Sequence, residues 1–119
     1  MSFLFVALGG ALGSALRYTI SLIPCKTDFP VLTLITNFIG TLAIGFVIGI
    51  ADDKSPNTLL FWKTGVCGGF TTFSTFSLEA FSLFEKKMFV LGGLYVLLSV
   101  GLCLVGVFLG KKLSSLFLL

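Results

Sequence analysis

Histidine is absent from this chain of 119 residues, and charged side chains make up only 11% of it. Soluble domains carry roughly 25% charged residues, so a water-facing globular surface is the poorer reading. With no His, no paired carboxylates and no nucleophile beside a base, the chain lacks the groups from which an acid–base or covalent catalyst is built. Cys25, Cys67 and Cys103 have no metal-ligand spacing. Their odd number, with two of them inside apolar segments, argues against a disulfide framework and for small apolar fillers. The glycine pair in "GGFTTFS" lacks the Lys that a phosphate loop requires. The apolar runs lack the alternation of a membrane barrel, and no linker, low-complexity tract or convincing repeat is present.

What remains is 56% hydrophobic and includes 14 Phe and 14 Gly, with a mean hydropathy of +1.12. This suits membrane helices, where glycine is frequent and lets backbones approach. Crossing a hydrocarbon core of ~30 Å takes roughly 20 apolar residues. Four spans qualify, at about 3–23, 32–50, 58–84 and 88–110, with polar punctuation at 24–30, 52–57 and 85–87. The first is read as a mature helix and not a secretory signal, because no Lys or Arg precedes its apolar core. The fold expected is therefore an all-α, multi-pass membrane domain over residues 1–119.

Orientation follows the excess of Lys and Arg on the cytoplasmic side. Lys54, Lys63, Lys111 and Lys112 fall on one side, and Arg17, Lys26, Lys86 and Lys87 on the other, four against four. A tie suggests insertion in both orientations and an antiparallel homodimer, two-fold closure being the commonest oligomer symmetry.

The stretch "GGFTTFSTFS" (68–77) is out of place in an oily span. Gly68-Gly69 is expected to break the third helix near 68–71, leaving half-helices whose carbonyls suit a cation and whose amides suit an anion. Beyond the break, helical spacing sets Phe73 and Phe76 on one face with Ala80, and Thr71, Thr75 and Ser82 on roughly the opposite one. Ser and Thr in membrane helices often bond their own backbone, and spaced Phe is often lipid-facing. Alternatively, hydroxyls and positive ring edges form a permeation track for a small anion. Glu79 is the one carboxylate within a predicted span. Asn37 offers either amide donors to that track or an interhelical hydrogen bond. Arg17 either snorkels to the interface or keeps positive charge near a pore mouth.

"GGALGSALRY" (9–18), "TLITNFIGTLAIG" (33–45) and "GVCGGFTTFSTFSLE" (65–79) together resemble the Fluc, or CrcB, family of microbial fluoride channels. The resemblance covers nearly the whole chain, and its third motif is the most specific. It implies a dual-topology homodimer of antiparallel four-helix subunits in the inner (plasma) membrane, with two passive fluoride pores that lower fluoride toxicity. It implies a structural Na⁺ at the dimer interface, held by main-chain carbonyls of Gly68 and Thr71. Phe73 and Phe76 match the family's pore phenylalanines, Asn37 its pore asparagine, Ser74 and Thr75 its hydroxyl track, Glu79 its third-helix carboxylate and Arg17 its vestibule arginine. Tyr95 and Ser99 look like its fourth-helix tyrosine and serine. The implied partners are fluoride, membrane lipid and a second copy of the chain, with no nucleic acid. Two rivals remain: a small multidrug-resistance-type, proton-coupled exporter, which wants a first-helix carboxylate absent here, and a structural membrane assembly protein with the hydroxyls as packing glue.

Overall fold

The computed structural model describes residues 2–51 and 55–117. Half of the expected second loop, Asp52, Asp53 and Lys54, lies outside the described residues. No strand occurs among the described residues, and the chain forms four apolar helical segments, the third of them broken. Helix α1 spans Ser2–Ser21 and α2 spans Val31–Ile50. Helix α3 covers residues 56–70 and includes a π-helical stretch at Leu60–Cys67, where Gly68 N–H reaches back to Lys63 O. Helix α4 spans Phe73–Glu85 and α5 spans Phe89–Phe117. At ~1.5 Å per residue, the 20 residues of α1 or α2 match a hydrocarbon core of ~30 Å. The 29 residues of α5 exceed it. Its last turns carry Lys111, Lys112 and Ser114 beyond the expected limit near 110, with no Gly–Pro signal to stop them.

The break lies at the downstream edge of the expected interval. Gly68 keeps helical angles, whereas Thr71 (φ −83°, ψ 156°) and Thr72 (φ −148°, ψ 119°) are extended. The glycines instead serve close packing. Of the Gly9–Gly13 pair of α1 and the Gly65–Gly69 pair of α3, Gly9 faces Gly65, Gly13 faces the Val66 and Phe70 backbone and Gly69 meets Gly10, and a Cβ on Gly65 would sit 2.8 Å from Gly9 Cα. Gly45 and Gly49 of α2 likewise face the Gly106–Gly110 turn of α5 and Ser114. Each pair is spaced by four residues, so it lies on one helix stripe. The two close pairs, α1 with α3 and α2 with α5, account for most of the helix–helix packing. Helix α4 packs on α5 through a small core of Leu34, Ala80, Leu83 and Tyr95.

The outer surface is apolar, as hydrocarbon requires: Phe3 is 90% exposed and Val90 84%. Between α4 and α5, Met88 N–H bonds Leu83 O at 2.9 Å and Lys87 N–H bonds Phe84 O at 3.0 Å. That is a Schellman C-cap with Lys87 at φ 62°, a position glycine prefers.

Two outcomes follow for thermal unfolding in detergent. Gly110→Ala, whose Cβ would overlap the Leu42 carbonyl, should destabilise by ~1–3 kcal/mol, whereas Gly101→Ala, which meets nothing within 4 Å, should be neutral or slightly stabilising. Lys87→Gly should stabilise by about 1 kcal/mol by relieving the left-handed conformation; equal midpoints for both glycine variants, or a loss with Lys87→Gly, would contradict this packing.

Candidate functional site

The site forms where α3 stops. An extended residue points its N–H and C=O to the same side, and the Asn37 side chain of α2 bonds both from Thr72. Thr72 N–H donates to Asn37 Oδ1 at 2.8 Å, and Asn37 Nδ2 donates to Thr72 O at 3.1 Å. Asn37 is buried at 9% exposure, so no water need supply these bonds. Thr72 also caps α4, its Oγ1 accepting from Thr75 N–H at 3.1 Å. The Thr71 hydroxyl bonds back to Cys67 O at 3.0 Å, the bland role open to it from sequence. From α1, Arg17 Nε donates to Gly69 O at 3.1 Å, setting a cation against the carbonyl end of α3. Gly40 lets the break close on α2, since a Cβ there would overlap the Thr71 methyl.

Two cavities flank the break. The larger, about 330 Å³, is lined by Asn37, Thr41, Cys67, Thr71, Phe73, Phe76, Ser99 and Cys103, among others, with no charged side chain. The smaller, about 160 Å³, is lined by Arg17, Ser21, Thr33, Thr36, Thr72 and Thr75 with Leu32. Thr72 borders both. The expected two-sidedness of the stretch is therefore present for Phe73 and Phe76 against Thr75, while Thr71 lines the phenylalanine side. Ser74 is exposed, its Oγ 3.3 Å from Thr72 Oγ1, and it lines neither cavity.

The aromatic rings form a chain. Phe73 and Phe76 have centroids 5.4 Å apart, Phe76 and Tyr95 5.2 Å, and Tyr95 meets Phe29 edge-on at 5.6 Å. Tyr95 is fully buried, and its hydroxyl lies 3.3 Å from Glu79 Oε1, a long contact. Ser99 Oγ is buried with no hydrogen-bond partner among the described residues. Phe73 is 79% exposed on the single chain. Gly68 is also exposed, and a Cβ there would meet only Lys63 O, at 3.7 Å.

Sequence reasoning passed over Thr72 as an individual residue, although Thr72-Phe73-Ser74-Thr75 carries an N-cap signal that places the start of α4. The four-residue glycine spacings were equally available. Thr33, Thr36, Thr41 and Cys103 reach the cavities only through helix packing and left no local signal.

Arg17→Met should leave Gly69 O without its donor and destabilise the fold by ~1–3 kcal/mol in thermal unfolding, with Arg17→Lys closer to wild type. Unchanged midpoints in Arg17→Met would show that this bond carries no load.

Residues 4–111 match the family model described as CrcB-like protein, Camphor Resistance (CrcB). The chain is 44% identical over 118 residues to a fluoride-specific ion channel FluC of Ruminiclostridium cellulolyticum, covering 92% of this chain and 89% of that one. It is 44% identical over 117 residues to the protein of the same name in Methanococcus maripaludis, covering 96% of each. A third, from Roseiflexus sp., is 43% identical over 120 residues, covering 96% of this chain and 97% of the relative.

Proposed function

The chain belongs to the CrcB family, and from that premise we propose that it is a passive, fluoride-selective ion channel that exports cytoplasmic fluoride and so lowers its toxicity. It is a multi-pass membrane protein, and its relatives are ion channels, not enzymes. The observation that carries the reading is the larger cavity, which sets Asn37, Thr71, Phe73, Phe76 and Ser99 around one space without a charged side chain. Removing a carboxylate-sized ion from water costs ~20 kcal/mol in the Born limit, and fluoride, being smaller, costs more. Neutral donors and ring edges share that cost without a fixed counter-charge that would trap the ion.

In this reading Asn37, Phe73, Ser74, Thr75, Phe76 and Glu79 belong to the pore and Arg17 to its vestibule. The guanidinium beside five hydroxyls of the smaller cavity supports the vestibule role. The working unit is an antiparallel, dual-topology homodimer in the inner membrane. The exposure of Phe73 supports it, because one chain alone does not enclose a path past that ring. A structural Na⁺ sits between the subunits on the carbonyls of Gly68 and Thr71. Main-chain oxygens are suitable ligands for a hard cation, and the exposure of Gly68 fits a site completed by a second copy. The exporter alternative is disfavoured because α1 contains no carboxylate.

Proteoliposomes loaded with fluoride should release it passively and retain chloride. Phe73→Ile and Phe76→Ile should each lower fluoride efflux by roughly fivefold, the scale of an aromatic edge contact of ~1 kcal/mol, with the dimer intact by size-exclusion chromatography. No efflux from the wild type would leave a packing role for the hydroxyls; wild-type rates in both variants would remove the rings from the pathway.

A further inference from the structure

Two N–H groups at the break are sent where an uninterrupted helix would not send them. In an α-helix the N–H of Thr72 closes onto the carbonyl of Gly68, and that of Thr75 onto the carbonyl of Thr71. Here Thr72 N–H goes to Asn37 Oδ1 at 2.8 Å, and Thr75 N–H goes to Thr72 Oγ1 at 3.1 Å. Each diversion takes the helical donor away from one carbonyl. Those two carbonyls are the pair placed on the cation above.

Three neighbouring carbonyls are treated differently. Cys67 O accepts from both the N–H and the hydroxyl of Thr71, at 3.1 and 3.0 Å. Gly69 O accepts from Arg17, and Thr72 O from Asn37. The break therefore supplies donors to Cys67, Gly69 and Thr72 while withdrawing them from Gly68 and Thr71. A carbonyl at membrane depth without its donor is unfavourable, and a bound cation offsets that cost.

We propose that the side chains of Asn37 and Thr72 are positioning residues for a cation site. Each engages the N–H that would otherwise occupy a ligand carbonyl, leaving the oxygens of Gly68 and Thr71 for a hard monovalent cation. Asn37 adds a second constraint. Its Nδ2 bond to Thr72 O holds that residue extended, which keeps Thr71 and Thr72 from rewinding into one continuous helix. This inference rests on the Na⁺ site of the proposed function.

Because Thr72 is also an ordinary helix cap, the test reads cation dependence and not stability alone. The thermal midpoint of the purified protein in detergent is followed against Na⁺ at constant ionic strength, with N-methyl-D-glucamine as the replacing cation. The wild type should gain stability as Na⁺ rises. Thr72→Ser, which keeps the acceptor, should follow the same curve, whereas Thr72→Val and Asn37→Leu should need about tenfold or more Na⁺ for the same gain. Should Asn37→Leu fail to fold, the Thr72 pair decides. A wild-type response to Na⁺ that persists unchanged in Thr72→Val overturns the inference alone. A wild type indifferent to Na⁺ removes the cation site and the inference with it.

Discussion

A peptide group left without a hydrogen-bond partner in hydrocarbon costs several kcal/mol, and this chain interrupts a helix with two extended residues inside an apolar span. The bonds that make the interruption tolerable come from other helices. Asn37 of α2 bonds both polar atoms of Thr72, and Arg17 of α1 reaches Gly69 O. Thr72 itself starts α4 by accepting from Thr75. Remove those side chains and the cheaper state is a continuous helix across 70–73, which would erase the cavities on either side of Thr72.

Those contacts depend in turn on how near the helices stand. Lipid tails are as apolar as Leu, so burial of oil does not drive helices together in a membrane, and close van der Waals contact has to. Glycines spaced by four provide it on both sides of the break. One set draws α1 against α3 and so brings Arg17 to the end of α3. The other draws α2 against α5 and so sets Asn37 beside Ser99 and Cys103. Gly40 completes the approach by leaving room for Thr71. Packing and polar satisfaction are thus one device, because the small residues set the distance that the hydrogen bonds require.

The chemistry on offer at the break is mild. Amide, hydroxyl and phenyl groups line the larger cavity, and the positive charge of Arg17 stands at the smaller one, already committed to a carbonyl. A small, strongly hydrated anion can exchange water for such contacts and still leave, which a fixed lysine or arginine in its path would hinder. The fluoride channel proposed for the chain is consistent with that balance and with the family to which it belongs.

Solvent, helix count and family were legible in the sequence, because hydropathy, span length and motif identity are local properties of consecutive residues. So was the oddity of residues 68–77, since hydroxyls and glycines in oil stand out without a structure. The position of the break was only half legible. Gly68-Gly69 drew attention as weak helix formers, yet both remain helical, Gly69 packed on Gly10 of α1, and the extended pair is Thr71-Thr72. The reason is that helix propensity differs by about 1 kcal/mol for glycine, less than the two-point bond from Asn37 and the close packing on Gly10 together supply. Which carbonyls keep their donors, which threonines face Arg17, and where Tyr95 and Ser99 lie were decided only by tertiary structure. Arg17 with Gly69, Asn37 with Thr72 and Tyr95 with Glu79 are partners 16 to 52 residues apart along the chain, and a distance in space is not written in the spacing of one segment.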